Sequence, residues 1–180
     1  MGIINVYSYK FPEPLGSIGI AESDGRIMRV IFNCTPEALM RDDMYRYFSI
    51  GAYACNDIET ADTPVLNRAA EQIEEFLSGS RAVFDLPVSY SENNNKPFYM
   101  KVLHELQNIP AGRTRSYKEI ASDCGNEKAA RAVGLACNKN PVPVIIPCHR
   151  VVGGKGRLLG YAGGLDIKQY LLDLEKKYYV

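Results

Sequence analysis

The stretch "SYKEIASDCGNEKAARAVGLACNKN", residues 116–140, decides the fold. Ser116 and Glu119 stand at capping-box spacing, where each side chain satisfies a backbone N–H at the other's position. They open a short helix that Gly125 closes. Asn126 caps a second helix, which must stop before Pro141 because proline disfavours helical backbone in the residue before it. Two short helices around a tight Cys-Gly-Asn turn predict a helix-turn-helix. The second helix is nearly bare, since Ala129, Ala130, Ala132, Gly134 and Ala136 leave Arg131 projecting among them. Small residues serve two purposes, core packing being the more common. They allow tight packing in a core, or they let a helix approach a DNA groove with one arginine inserted.

Downstream comes "NPVPVIIPCHRVV", residues 140–152, an apolar run that reads as a strand. Cys148 inside it is either inert core or a nucleophile. Adjacent residues on a strand point to opposite faces, so His149 need not touch the Cys148 sulfur except through a water or a sharp turn. A free thiol, with pKa about 8.5, is mostly protonated at neutral pH and needs a base. That base needs a third group to hold its tautomer, and Glu175 in the last helix is one candidate.

Upstream, "KPFYMKVLHELQNI" sets Phe98, Val102, Leu103, Leu106 and Ile109 on one side of a helix. "SENNNKP", residues 91–97, is polar and turn-rich and reads as a linker. Before it lie the strand-like runs "INVYSYKF", "GSIGIAES" and "RIMRVIFN", the last two joined by an Asp-Gly turn. Residues 36–50 read as helical. "TPVLNRAAEQIEEFLSG" is a clear helix, with Thr63 as cap, Pro64 in its first turn and an apolar face of Val65, Leu66, Ala69, Ile73, Phe76 and Leu77. "AVFDLPVSY", residues 82–90, reads as a further strand.

The 180 residues are 46% hydrophobic and 23% charged, enough for a core in one large or two small domains. No apolar run reaches the roughly 18 residues of a membrane span, and the N-terminus does not read as a secretory signal. Residues 1–90 carry a net charge of −6 and residues 91–180 a net of +6, which points to a polyanion facing the second half. Five cysteines without close pairs and only two histidines argue against disulfides and metal sites. Free thiols suit a reducing, cytoplasmic setting.

The run "NPVPVIIPCHRVV", with "GYAGGLDIKQYLLDLE" after it and "SYKEIA" and "KAARAVGLA" before it, resembles the O6-alkylguanine-DNA alkyltransferases, the methylated-DNA–protein-cysteine methyltransferases. The likeness covers most of residues 97–176 and is looser in the first half. It implies that Cys148 takes the alkyl group of O6-alkylguanine irreversibly, after the nucleotide is flipped out of double-stranded DNA. O4-methylthymine is a second candidate substrate. By the same resemblance His149 is the water-linked base and Glu175 orients it. Asn140 is the hinge into the active-site strand, and Tyr117 donates to guanine N3. Arg131 fills the gap left by the base, while Ala130, Gly134 and Lys168 belong to the DNA-facing set. Cys137, Val151, Tyr161, Ala162 and Gly163 belong to the substrate pocket. Ala162 stands where some relatives have serine, so only its backbone N–H is left to face the O6 atom.

The expected architecture is an N-terminal α/β domain, residues 1–92, with a small mostly antiparallel sheet plus a helix. It joins a mostly helical C-terminal domain of winged helix-turn-helix type, residues 93–180. The expected protein is a cytoplasmic monomer without cofactor or metal. A cysteine hydrolase built on Cys148, His149 and Glu175 is the rival reading, but it leaves the helix-turn-helix unexplained. A non-catalytic alkyltransferase-like DNA binder would lack Cys148.

Overall fold

The computed structural model describes residues 3–35, 58–89 and 97–180. The expected helix at 36–50 and most of the expected linker lie outside them.

The first half is built on a four-stranded sheet of order β3-β2-β1-β4, formed by β1 (Ile4–Lys10), β2 (Ser17–Ser23), β3 (Arg26–Phe32) and β4 (Ile58–Thr60). The first three strands are antiparallel neighbours, and β4 adds a parallel edge to β1. Asp24 and Gly25 carry φ of 52° and 71°, the left-handed pair that a two-residue hairpin turn needs to match strand twist. Helix α1 (Pro64–Leu77) is capped by the Thr63 side chain and buries Leu66, Ala69, Ile73 and Phe76. These recur at helical spacing as one stripe and pack on the sheet. Val65 and Leu77 lie at its half-buried margins.

Residues 82–89 do not form the expected strand. Val88 makes one isolated bridge to Ile27. Pro87 lacks an N–H, and the Asp85 backbone pairs with the Gln72 side chain of α1 through bonds of 2.9 and 3.2 Å. Asp85 thus pairs with a helix, and the only ladder bonds among these described residues run from Pro87 and Ser89 to Ile27.

The second half runs α2 (Pro97–Gln107), β5 (Arg115–Ser116), α3 (Tyr117–Asp123) and α4 (Ala130–Asn138), then β6 (Val151–Val152) and α5 (Leu165–Tyr178). The capping box forms, with the Ser116 N–H 2.6 Å from Glu119 Oε2 and the Glu119 N–H 3.2 Å from Ser116 Oγ. Gly125 turns the chain at φ 84°. Asn126 Oδ1 accepts from the Lys128 N–H at 3.2 Å, capping a 3-10 turn (Glu127–Ala129) that leads into α4. The single helix expected here is thus two pieces. Short β5 and β6 pair in parallel beside the helix-turn-helix.

One hydrophobic cluster joins the two halves. It runs from Ile18 and Ile20 on the sheet through Ile73 and Phe76 to Leu103, Val133, Ile146 and Leu171. The chain's end is tied back to α1, because the Tyr179 hydroxyl lies 2.7 Å from the carbonyl oxygens of both Phe76 and Arg81. None of the described helices is long and apolar enough to cross a membrane.

Candidate active site

The expected active-site strand is not a strand at the cysteine. Residues Cys148–Arg150 form a 3-10 turn, entered through Pro147 at φ −82° and ψ 60°, and only Val151 and Val152 pair as β6. This turn frees the cysteine and the histidine from the opposite-face rule of a strand. Cys148 is buried, 2% exposed, and His149 is fully buried.

Asn140 builds the approach to the turn. Its Oδ1 accepts from the Val142 N–H at 3.1 Å, and its Nδ2 donates to the Ile146 carbonyl at 2.8 Å. Between those two anchors Val144 sits at φ 76°, a left-handed conformation that a β-branched residue rarely adopts. Strain of that kind, of order 1–3 kcal/mol, persists only where neighbours over-determine it. Asn140 clamps both sides of it. The same Nδ2 lies 3.2 Å from Cys148 Sγ and donates to it. The sheet supports the loop from outside, with the Val30 N–H 2.9 Å from the Pro141 carbonyl.

Beyond the cysteine lies a buried charge cluster. His149 Nε2 is 2.8 Å from Glu175 Oε1. Arg150 Nε donates to the same oxygen at 2.8 Å, and its Nη1 donates to the Ile109 carbonyl at 2.6 Å. The Gly112 N–H takes Glu175 Oε2 at 3.0 Å. Burial pushes the Glu175 pKa up, but hydrogen bonds and charge from His149 and Arg150 outweigh it and hold the carboxyl below its usual value. Burial pushes His149 down, so its imidazole is neutral. An ionised carboxylate only accepts, so Nε2 carries the ring hydrogen and Nδ1 carries the lone pair. Sequence reasoning missed Arg150. Its only signal was an arginine inside an apolar run, where burial demands an ionic partner.

Burial raises the Cys148 thiol to about 11, against opposing help from Asn140 and Lys168. Cys137 stands higher, at about 12, raised by burial and by Cys148. Both are thiols at neutral pH, but only Cys148 has a neutral imidazole next to it in the chain.

Lys168, expected among DNA-facing residues, is fully buried instead. Its Nζ donates to the carbonyls of Val151 at 2.7 Å and Leu159 at 3.0 Å and lies 5.9 Å from the Tyr117 ring centre. It ties α5 to β6 and to the segment before Tyr161, a position inside the protein. Burial raises the Tyr117 phenol to about 12, so it remains a proton donor.

Tyr161 and Gly163 are held by the first half. The Phe32 and Tyr161 rings are 5.7 Å apart, and a Cβ on Gly163 would meet the Phe32 ring at 2.9 Å. Ala162 is exposed and helps line a cleft of about 240 Å³ with Asn140, Pro141 and Pro143. A larger cleft of about 490 Å³ reaches the buried cluster at Ile109, Pro147 and Arg150.

On α4, Arg131, Ala132 and Leu135 are exposed, whereas Val133, Ala136 and Cys137 face the core. Ala130 is half-buried. A Cβ on Gly134 would meet only the Tyr117 ring, at an ordinary 3.8 Å. Interior packing therefore does not require glycine there.

A helix-turn-helix followed by a buried cysteine, hydrogen-bonded by an amide and next to an anchored histidine, defines a DNA-acting thiol protein as a class. The comparisons narrow that class. Residues 97–177 match the family model for the 6-O-methylguanine DNA methyltransferase, DNA binding domain. The constitutive methylated-DNA–protein-cysteine methyltransferase of Bacillus subtilis is 38% identical over 164 residues, covering 91% of each chain. The Methanosarcina acetivorans methyltransferase of the same name is 46% identical over 123 residues, covering 66% of this chain and 77% of its own. Mycobacterium tuberculosis OGT, solved in complex with DNA, superposes with a TM-score of 0.77 at 30% identity, covering 97% of this chain and 94% of that one. The chain belongs to the methylated-DNA–protein-cysteine methyltransferase family.

Proposed function

We propose that this protein repairs DNA by moving the alkyl group of O6-alkylguanine irreversibly to Cys148. The observation that carries the reading is the Asn140 N–H on Cys148 Sγ, beside an imidazole anchored to Glu175. The O6 atom lies inside the base stack, so the nucleotide must first leave the duplex, at a cost of a few kcal/mol that a badly paired base reduces. Arg131, exposed on α4, occupies the gap. Ala130 and Gly134 keep the helix surface low enough for close approach, and that use explains a glycine which packing does not demand.

In the transfer step the Cys148 S–H proton passes through a water to His149 Nδ1. The S–C bond forms as the C–O6 bond breaks, and the electron pair leaves on guanine. Tyr117 donates toward N3 and stabilises that leaving group. Glu175 stabilises the imidazolium that forms. Asn140 donates to the thiolate. Cys137, Val151, Tyr161, Ala162 and Gly163 wall the pocket, and Lys168 fixes the wall from inside. Among the described residues no second base is placed to hydrolyse a thioether, so each molecule acts once.

The working division is residues 1–92 as a supporting domain and 93–180 as the DNA-binding and acceptor domain. Four free cysteines among the described residues fit a cytoplasmic protein. Incubation with duplex DNA carrying one labelled O6-methylguanine tests the proposal. Covalent label on the protein supports it, and binding without transfer rejects it.

A further inference from the structure

We propose that the Tyr161 hydroxyl is a positioning member of the proton relay, holding together with His149 Nδ1 the water that takes the Cys148 thiol proton. The proposal rests on the reading of Cys148 as alkyl acceptor and gives Tyr161 a task beyond walling the pocket.

Among the described residues, two buried side-chain polar atoms have no protein partner, His149 Nδ1 and the Tyr161 hydroxyl. They belong to neighbouring rings, with centroids 6.4 Å apart and planes at 86°. An unpaired buried polar group is costly, and two adjacent ones point to a shared partner. A buried water needs about two to four polar partners, and Nδ1, the phenol and the Cys148 sulfur supply three. Both rings are braced from the first half of the chain. Phe32 packs on Tyr161, and Phe76 of α1 lies 6.4 Å from the His149 ring. Burial, then the charge that Cys148 carries once ionised and that of Glu175, raises the phenol pKa well above its usual value, so it donates throughout the neutral range.

The proton path balances. At rest the water accepts from the Tyr161 O–H and the Cys148 S–H and donates to Nδ1. As the S–C bond forms and the C–O6 bond breaks, the thiol proton passes to the water and one water proton passes to Nδ1. The electron pair leaves on guanine, and the phenol keeps its own proton. The other groups that face this relay are Arg150 from the turn, Glu175 and Lys168 from α5, Cys137 from α4 and Tyr117 from α3.

Tyr161→Phe keeps the ring and removes only the hydroxyl. Three measurements compare it with the wild type: single-turnover transfer from duplex O6-methylguanine between pH 6 and 9, alkylation of Cys148 by iodoacetamide without DNA over the same range, and thermal unfolding. The expected result is that both rates fall roughly tenfold, the size of one lost hydrogen bond, and both profiles move to higher pH with undiminished thermal stability. Unchanged rates and profiles would overturn the proposal. Slower transfer with an unchanged iodoacetamide profile would also overturn it, because the hydroxyl would then serve the guanine. The iodoacetamide arm needs no DNA chemistry. If that arm depends on Tyr161 while no methyl moves from DNA, the relay stands and the acceptor reading fails.

Discussion

Asn140 Nδ2 lies 3.2 Å from Cys148 Sγ, and the same amide bridges the Val142 N–H and the Ile146 carbonyl. One side chain therefore holds the loop in shape and supplies a donor to the sulfur. Asn140→Ala removes both. It should destabilise the protein by about 2 kcal/mol, the expected scale for leaving buried backbone groups unpaired. It should also slow alkyl transfer at least tenfold and raise the pH at which Cys148 becomes reactive. Thermal unfolding and a pH series of Cys148 alkylation check it. A stable variant with an unshifted profile would show that the amide does not act on the sulfur.

The pair of Glu175 and His149 sets an acid limit on stability. Burial holds the His149 pKa down, so below the ordinary value of about 6.5 the unfolded chain takes up a proton that the folded one refuses. The net effect of burial and its ion partners holds Glu175 below the ordinary value of about 4.3, so its contribution is full above that pH and is lost as pH falls through the depressed value. Both effects have the same sign. Stability should decline in two stages on acidification. Glu175→Gln should abolish the lower stage and, by stranding the Arg150 charge, cost about 3–5 kcal/mol at neutral pH. Melting temperatures from about pH 2 to 8 decide this, and identical acid limbs in both proteins would contradict it.

Much of this was legible in the sequence, and the misses have physical causes. The helix-turn-helix followed from local chemistry, because the Ser116–Glu119 box and Gly125 act within one turn of the chain. The Asp24–Gly25 hairpin was legible for the same reason. The turn at Cys148 was not, because "VIIPCHRVV" has the composition of a buried strand and only tertiary contacts bend it. Residues 82–89 fall short of a strand because the Asp85 backbone pairs with Gln72, which no local pattern signals, leaving ladder bonds only from Pro87 and Ser89 to Ile27. Glu175 was a candidate from its place in the last helix and from the family resemblance, but the Arg150 and Gly112 contacts that fix its carboxylate link positions 25 and 63 apart, beyond any periodicity. Lys168 was placed in the DNA-facing set by the resemblance alone. Its burial depends on two carbonyls from distant segments.

Arg131 lies exposed on α4 among small residues. Arg131→Ala should slow repair of duplex DNA tenfold or more, yet change reaction with a free O6-alkylguanine base less than about twofold, since a free base leaves no gap in a stack. Parallel single-turnover rates on the two substrates test it. Equal losses on both would remove the gap-filling role.

The central claim is that Cys148 alone accepts the alkyl group, once. The direct measurement is peptide mass mapping of the protein after reaction with excess duplex DNA containing O6-methylguanine, with the methyl counted per molecule. Cys137 is the rival, close to Cys148 electrostatically and buried on α4, but its thiol is raised higher, to about 12. The account predicts one added methyl, on Cys148, with Cys34, Cys55, Cys124 and Cys137 unmodified, and no further repair by the product. Methyl on Cys137, or more than one methyl removed from DNA per protein molecule, would contradict it.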